Sequence, residues 1–319
     1  MENPIKISSS TSRRGQYFAR VARQCDLQSQ HKQMTFELTG TAAQCFGAAK
    51  AGQFIQIACR DLRDARSLMP LLRRPFSIAA VHPDKKNHEH LLVEIIYRLL
   101  GPGTGWLAHR NTGEEINLLG PLGNGFTLAK RPQGQALLIG GGVGLPPLFF
   151  LAQQLAQMDR MEIVGFAGAR SRDQFAGTLS LDHYQAQQPL KPQMIMEQFT
   201  RSSTGCIIAT DDGSCGFRGS IVDALDNYLN QPTILEDVQV FACGPDAMLK
   251  AIVELSQSRN LPCQICMEAY MACGIGLCQS CVVQVRNESG RTKISDIGPY
   301  YKLACSNGPV FDAQTVIWE

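Results

Sequence analysis

Apolar and polar positions divide the chain into three stretches with different rhythms. From residue 16 to about 129, short apolar runs such as FIQIAC (54–59), FSIAAV (76–81) and LLVEIIYRLL (91–100) are broken by turn residues, and the polar loop HPDKKNHEH (82–90) separates two of them. That spacing predicts an antiparallel β-barrel. From 135 to 257 the pattern changes. ALLIG runs into a glycine-rich turn and a helical stretch, LFFLAQQLAQM. The apolar runs MEIVGFAG (161–168), CIIAT (206–210) and VQVFACG (238–244) then alternate with helical patterns such as SIVDALDNYL (220–229). Strands alternating with helices predict an α/β domain on a parallel sheet. The remainder is short and rich in cysteine and glycine, as expected of a module organised by metal. The expected division is a polar arm at 1–15, a β-barrel at 16–132, an α/β domain at 133–257 and a small module at 258–319.

Composition narrows the class without naming it. Hydrophobic residues make up 44% of the 319 and charged residues 18%, an ordinary globular balance. Thirty basic and 28 acidic side chains leave a net charge of +2, so no single-sign field favours nucleic acid or an anionic membrane surface. No run of 18 apolar residues exists, and the basic N-terminus lacks the apolar core of a secretory signal. No internal repeat or low-complexity segment is present. Twelve cysteines without a secretory signal point to a reducing, cytoplasmic setting and to metal rather than disulfides.

Four cysteines carry the strongest motif. Cys273-x4-Cys278-x2-Cys281 is followed by Cys305 after 23 intervening residues. This is the spacing of a plant-type [2Fe–2S] cluster. Glycines in ACGIGLCQSC allow the backbone to wrap closely and turn N–H groups toward sulfur. A four-cysteine zinc site in a non-enzymatic adaptor is the alternative from another class, but such sites use two C-x2-C pairs more often than this pattern. Cys263 and Cys266 also form a C-x2-C, within the strand-like run PCQICME, where packing is the expected role.

Weaker elements precede it. Arg74-Pro75-Phe76-Ser77 opens an apolar strand, with a cation that could face a pyrophosphate and a hydroxyl beside a flat apolar surface. Gly103 and Thr104, in GPGTGWLA (101–108), offer backbone N–H groups and a hydroxyl for a second phosphate contact. GPLGNGF (120–126) closes the barrel. LIGGGVGLPPL (138–148) follows a strand and precedes a helix, so Gly141, Gly142 and Gly144 allow close approach of a cofactor. Prolines stand where the dinucleotide fingerprint would have its last glycine. Cys243-Gly244-Pro245 ends a later strand, at the carboxyl edge where open α/β sheets bind ligands. The six histidines are scattered, are expected to be solvated, and form no constellation with carboxylates.

Taken in order, R-P-x-S, G-x-G-T, G-P-L-G-N-G-F, G-G-G-x-G and C-G-P resemble the ferredoxin–NADP reductase superfamily. The elements RRPFSIA, GGGVGLPPL, TDDGSCGFRG (210–219), MACGIGLCQSCVV (271–283) and CSNGPVFDA (305–313) narrow the resemblance to electron-transfer subunits of two-subunit, NAD-dependent dihydroorotate dehydrogenases. It covers roughly residues 16–316. It implies an FAD-binding barrel, an NAD-binding α/β domain and a [2Fe–2S] module. It also implies FAD contacts at Arg74, Pro75, Phe76, Ser77, Ile96, Tyr97, Arg98, Gly103 and Thr104. NAD(H) would be the two-electron partner. The implied partner protein is an FMN-containing dihydroorotate dehydrogenase catalytic subunit, in a heterotetramer, serving pyrimidine biosynthesis. A reductase subunit for a glutamate-synthase-like or sulfide-linked partner would share every cofactor motif. The chain departs from the pattern in its N-terminal arm, in a longer 170–205 segment and at Tyr270, where a basic residue is expected. No acid–base residue is expected, because the work is electron transfer. Tyr270, Met271, Ile275 and Leu277 are candidates either for a docking face or for shielding the cluster. Arg170 and Arg172, ahead of Asp173 at the end of a strand, suit a 2′-phosphate, whereas the resemblance favours NAD.

Overall fold

The structure is a computed structural model. It describes residues 14–28, 30–62, 69–128, 134–158, 161–182, 184–232, 237–286 and 300–318. Most of the expected N-terminal arm (residues 1–13) and His183 lie outside the described residues.

The first half contributes β1 (Gly15–Asp26), β2 (His31–Leu38), α1 (Gly40–Gly47), β3 (Phe54–Ile57), β4 (Arg74–Ser77), β5 (Ala80–Pro83), β6 (Leu91–Arg98), α2 (Pro102–Ala108) and β7 (Glu115–Leu122). Its strands form one antiparallel sheet in the order β4-β3-β7-β1-β2-β6-β5. The run 76–81, expected as one strand, is two. At Ile78 and Ala79 the chain turns a corner: Ile78 donates its N–H to Gln53, beside β3, and Ala79 donates to Glu94 on β6. The two edge strands are thereby consecutive in sequence, which curls the sheet toward closure. Ile78 and Ala79 are buried because they fill that corner.

The second half adds β8 (Gln135–Gly141), α3 (Leu145–Ala156), β9 (Glu162–Ala169), α4 (Glu197–Thr200), β10 (Gly205–Thr210), β11 (Phe217–Arg218), α5 (Ile221–Leu229), β12 (Val238–Cys243), α6 (Asp246–Ser258), β13 (Cys263–Cys266), β14 (Val282–Val285), β15 (Tyr300–Leu303) and β16 (Val310–Asp312). The sheet order is β11-β10-β9-β8-β12-β13-β16, parallel except for the last pair. Ala136, Leu137, Leu138 and Ile139 of β8 are all fully buried, as a central parallel strand covered on both faces requires. The C-terminal stretch expected as a module shares two strands, β13 and β16, with this sheet, while β14 and β15 form a ribbon of their own.

Side chains join the barrel to the sheet. Gln153 and Gln154 on α3 pair with barrel backbone: Gln153 with the N–H and C=O of Val81, Gln154 with the N–H of Ala51 and the C=O of Ala49. Pro146 and Pro147 lie in the first turn of α3, where a helix has no intrahelical partner for its N–H groups. At another seam Asn124 grips the 307–310 segment. Its Nδ2 donates to the carbonyls of Asn307 (3.0 Å) and Val310 (2.8 Å), and its Oδ1 accepts from Val310 N (2.9 Å).

A third seam corrects the expectation for histidines. Glu94, buried on β6, accepts from Gln33 (2.7 Å), His82 (3.1 Å) and, from the α/β domain, Arg201 (3.2 Å). His90 pairs with Glu37 at 2.6 Å, and His31 is only 4% exposed. These rings are not scattered in solvent: antiparallel pairing of β2 with β6, and of β6 with β5, sets His82 and His90 beside carboxylates distant in sequence, while His31 meets the nearby carbonyl of Gln28.

Candidate functional site

The four patterned cysteines come together. Cys281 and Cys305 are buried, Cys273 is half-buried and Cys278 is exposed. Backbone N–H groups are aimed at sulfur: Ile275 (3.5 Å) and Cys278 (3.4 Å) donate to Cys273 Sγ, and Gly276 (3.1 Å) to Cys305 Sγ. The Ser280 hydroxyl lies 3.2 Å from Cys278 Sγ. That hydroxyl, with further hydrogen bonds from the loop, brings the Cys278 thiol down to about 6. Burial, with the Cys281 thiol alongside, pushes Cys305 up to about 11. Four thiols sharing one site, already provided with N–H donors, fit a cluster that needs thiolate ligands and hydrogen bonds to sulfur.

Next to this loop lies a cavity of about 270 Å³. One wall comes from the barrel: Arg74, Pro75, Phe76 and Ser77 of β4, then Ile96, Tyr97 and Arg98 of β6, with Thr104. Phe76 meets Tyr97 edge to face, and Tyr97 donates its hydroxyl proton to Gln24 at 2.8 Å. Burial pushes the Tyr97 phenol up, so it stays neutral. Arg74 donates to the carbonyl of Leu72 at 2.8 Å. Gly103 does not line the cavity but backs Arg74: a methyl group there would stand 3.2 Å from Arg74 Cγ. The Thr104 hydroxyl accepts from the N–H groups of Leu100 (2.9 Å) and Gly101 (3.2 Å), closing the turn into α2. An apolar slot with arginines on its wall fits a flavin with a charged tail.

The opposite wall comes from the sheet and the cluster module. Cys243 lines it, as expected, together with Val143 between the predicted glycines. Gly144 packs on the end of β12, where an added methyl group would lie 2.2 Å from the Cys243 carbonyl oxygen. Gly141 and Gly244 both pack against Met248, and Pro245 leads into α6. These glycines thus bring the β8 and β12 ends close together. Cys266, Glu268 and Met271 also line this wall. Glu268 is marked by no motif, Cys266 only by a C-x2-C read as packing, and Met271 only as a residue beside the cluster. Cys266 is paired in register with Cys243, and a strand-end alternation in CQICME is the only hint in the sequence. Burial, with Asp246 adding to it, pushes the Glu268 carboxyl up. Cys263 and Cys266 are buried in β13, and burial raises Cys263 to about 12, which suits packing rather than ligation.

At the carboxyl end of β9, Arg170, Arg172 and Asp173 follow the strand. Asp212 donates its N–H to the Arg170 carbonyl, and Arg172 donates its N–H to Ser214 Oγ at 2.8 Å. The TDDGS turn therefore sets Asp211 and Asp212 beside the arginines. Among the described residues no helix is long and apolar enough to cross a membrane.

A curled antiparallel sheet, a parallel nucleotide-type sheet and a cavity between them define the class: a ferredoxin–NADP reductase-like flavoprotein fold, here with a C-terminal cysteine cluster. A solved NADH-dependent reduced ferredoxin–NADP oxidoreductase shares that fold, with a TM-score of 0.68, covering 94% of this chain and 90% of its own at 23% identity. Residues 138–254 match an oxidoreductase NAD-binding domain, and residues 268–317 match the iron–sulfur cluster binding domain of dihydroorotate dehydrogenase B. Dihydroorotate dehydrogenase B (NAD(+)) electron transfer subunits are similar over most of their length. The Geobacillus thermodenitrificans protein is 35% identical over 286 residues (89% of this chain, 93% of that one), and the Desulforamulus reducens protein 31% over 271 (85% and 88%). The chain belongs to this family of dihydroorotate dehydrogenase B electron transfer subunits.

Proposed function

We propose that the chain carries electrons between a dihydroorotate-oxidising catalytic subunit and NAD+, with a [2Fe–2S] cluster on Cys273, Cys278, Cys281 and Cys305 and FAD in the cavity beside it. The observation that carries this reading is the adjacency of the two: Met271, two residues before the first cysteine, lines the cavity itself. When bound, the cluster supplies one-electron transfer and the flavin converts it to hydride exchange with nicotinamide. The chain's part is to position and to tune. Arg74 and Arg98 would hold the charged tail of the flavin, and Phe76 and Tyr97 would pack against its flat portion. Gly141, Gly142, Gly144, Cys243, Gly244 and Pro245 keep the sheet edge low enough for nicotinamide to approach. Backbone N–H groups of the cysteine loop stabilise charge on sulfur. The proposed domains are the FAD barrel (16–132), the NAD domain (133–257) and the cluster module (258–319), with the last seated on the sheet of the second.

The partner is an FMN-containing catalytic subunit, assembled with this chain as a heterotetramer. Tyr270 (96% exposed), Ile275 (41%) and Leu277 (76%) are exposed apolar side chains in the segment that carries Cys273 and Cys278, where such a partner would cover the cluster. The test is co-expression with a dihydroorotate-oxidising subunit, co-purification, and dihydroorotate-dependent reduction of NAD+. Activity only with a glutamate-synthase-like or sulfide-oxidising partner would replace this reading, and a colourless protein holding stoichiometric zinc would end it. Asp211 and Asp212 beside Arg170 support NAD over NADP. A tenfold higher kcat/KM for NADPH than for NADH with an artificial acceptor would reverse that choice.

A further inference from the structure

Strand β3 carries one polar side chain, and its placement is unusual. Ile55 and Ile57 enter the barrel core, whereas Phe54 joins the core that also contains Cys281 and Cys305. Gln56 shares the face of Phe54 by the alternation of a strand. It is fully buried, and neither its Nε2 nor its Oε1 has a hydrogen-bond partner among the described residues. A buried amide left unpaired on both atoms is costly, so native chains keep one only where something answers it. The flavin cavity is not the answer, because Gln56 is absent from its wall. The cluster loop is adjacent. A methyl group on Gly274 would meet Gln56 Cγ and Nε2 at 2.7 Å, so the backbone immediately after Cys273 lies directly on this amide. Gly274 has a φ of +72°. A side chain there would be strained as well as blocked by Gln56.

From this juxtaposition we propose that Gln56 donates a hydrogen bond from its amide to sulfur on the Cys273 side of the cluster, and so sets the cluster's potential from the flavin strand. The inference rests on the four-cysteine cluster assignment. Its physical content is simple. An N–H donor favours the more negative, reduced state of an iron–sulfur centre. Gln56 is also opposite Pro75 in the β3–β4 register, so the same short strand touches the flavin's strand and the cluster loop. Gln56 would add a donor from the barrel side to those that the loop already supplies at Ile275 and Cys278.

The test is an EPR-monitored redox titration of the iron-loaded full chain, with the flavin followed optically in the same sample. Gln56→Leu keeps the volume and removes the donor. The expected result is full iron content, an unchanged flavin potential and a cluster potential lowered by a tenfold shift in its equilibrium, about 59 mV for one electron. An unmoved cluster potential in iron-loaded Gln56→Leu overturns the proposal, as does an equal shift in cluster and flavin. If Gln56→Leu does not load iron, Gln56→Asn is titrated instead: its shorter stem withdraws the amide, and an unmoved potential again overturns the proposal. An unsubstituted chain that binds no iron would sink the cluster assignment itself, a result distinct from any of these.

Discussion

The cysteine loop and the flavin cavity are neighbours built in opposite ways. Three of the four proposed cluster ligands fall within residues 273–281, and N–H groups of that loop serve the sulfurs of Cys273 and Cys305. The cavity draws its walls from residues as far apart as Phe54 and Pro309. One site is mostly a property of a short segment, and the other exists only while barrel and sheet stay docked. The difference teaches where each can be broken: the loop by removing an atom from it, the cavity by loosening seams some distance away.

The largest effect is expected from Cys278→Ser, which removes a ligand and leaves the cavity untouched. Iron content and visible cluster absorbance should fall by most of their value while flavin is retained; a loss of both would erase the contrast between the two sites. Gln153→Ala with Gln154→Ala should do the reverse. Four barrel backbone groups lose partners, at about 1 kcal/mol each, so the thermal midpoint and FAD content should drop while iron stays. Arg74→Ala acts within the cavity alone. Losing a charged donor to a phosphate costs about 1.5–3 kcal/mol, and a Kd for FAD weakened by about 10- to 100-fold, read by flavin fluorescence, is the expected outcome. Unchanged affinity would move the pyrophosphate away from Arg74.

The smallest effect is a pH dependence at the Glu94 seam. Burial alone would push the Glu94 carboxyl up, but the His82 hydrogen bond and the Arg201 charge outweigh it and hold it below its ordinary 4.5. The Glu94 hydrogen bond raises His82 above its ordinary 6.5, against the opposing effect of burial. The carboxylate's contribution is complete above 4.5 and is lost as pH falls through the lowered folded value; the imidazolium's is complete below 6.5 and is lost as pH rises through the raised one. Stability from this seam therefore peaks between those two ordinary values. His82 is partly exposed, which limits the effect to about 0.5–1 kcal/mol. Thermal midpoints across pH 4–8 should show that maximum in the parent (about 4.5–6.5) and lose it in Glu94→Gln.

The same contrast decides what the sequence could reveal. Cysteine spacing is legible because ligand geometry fixes it within one loop. Arg74 to Ser77 could be read because a proline and an arginine at a strand start are distinctive, and the alternation of strand and helix announced the second sheet. Asn124 could not be recognised as a clasp, since its partners stand 186 residues away at Val310. Within GPLGNGF it looks like one more turn residue. Gln56 and Glu94 each sit as a lone polar letter in an apolar strand, a pattern that marks a buried polar contact without saying with what. Cys266 and Glu268 reach the cavity only because β13 extends the sheet that the sequence assigned to another module. The split of FSIAAV at Ile78 was invisible for a related reason: a corner filled by apolar residues has no turn letters.

The Asn124 clasp has a consequence for the order in which the protein is made ready. Cys305 belongs to a segment whose continuation, residues 307–310, is held by a residue of the barrel. The position of Cys305, the proposed fourth ligand, thus depends on a barrel that has folded and received the C-terminal tail. Iron insertion is therefore expected to follow assembly of the flavin-binding half. Iron-starved cells should accordingly accumulate yellow, flavin-filled protein that awaits its cluster.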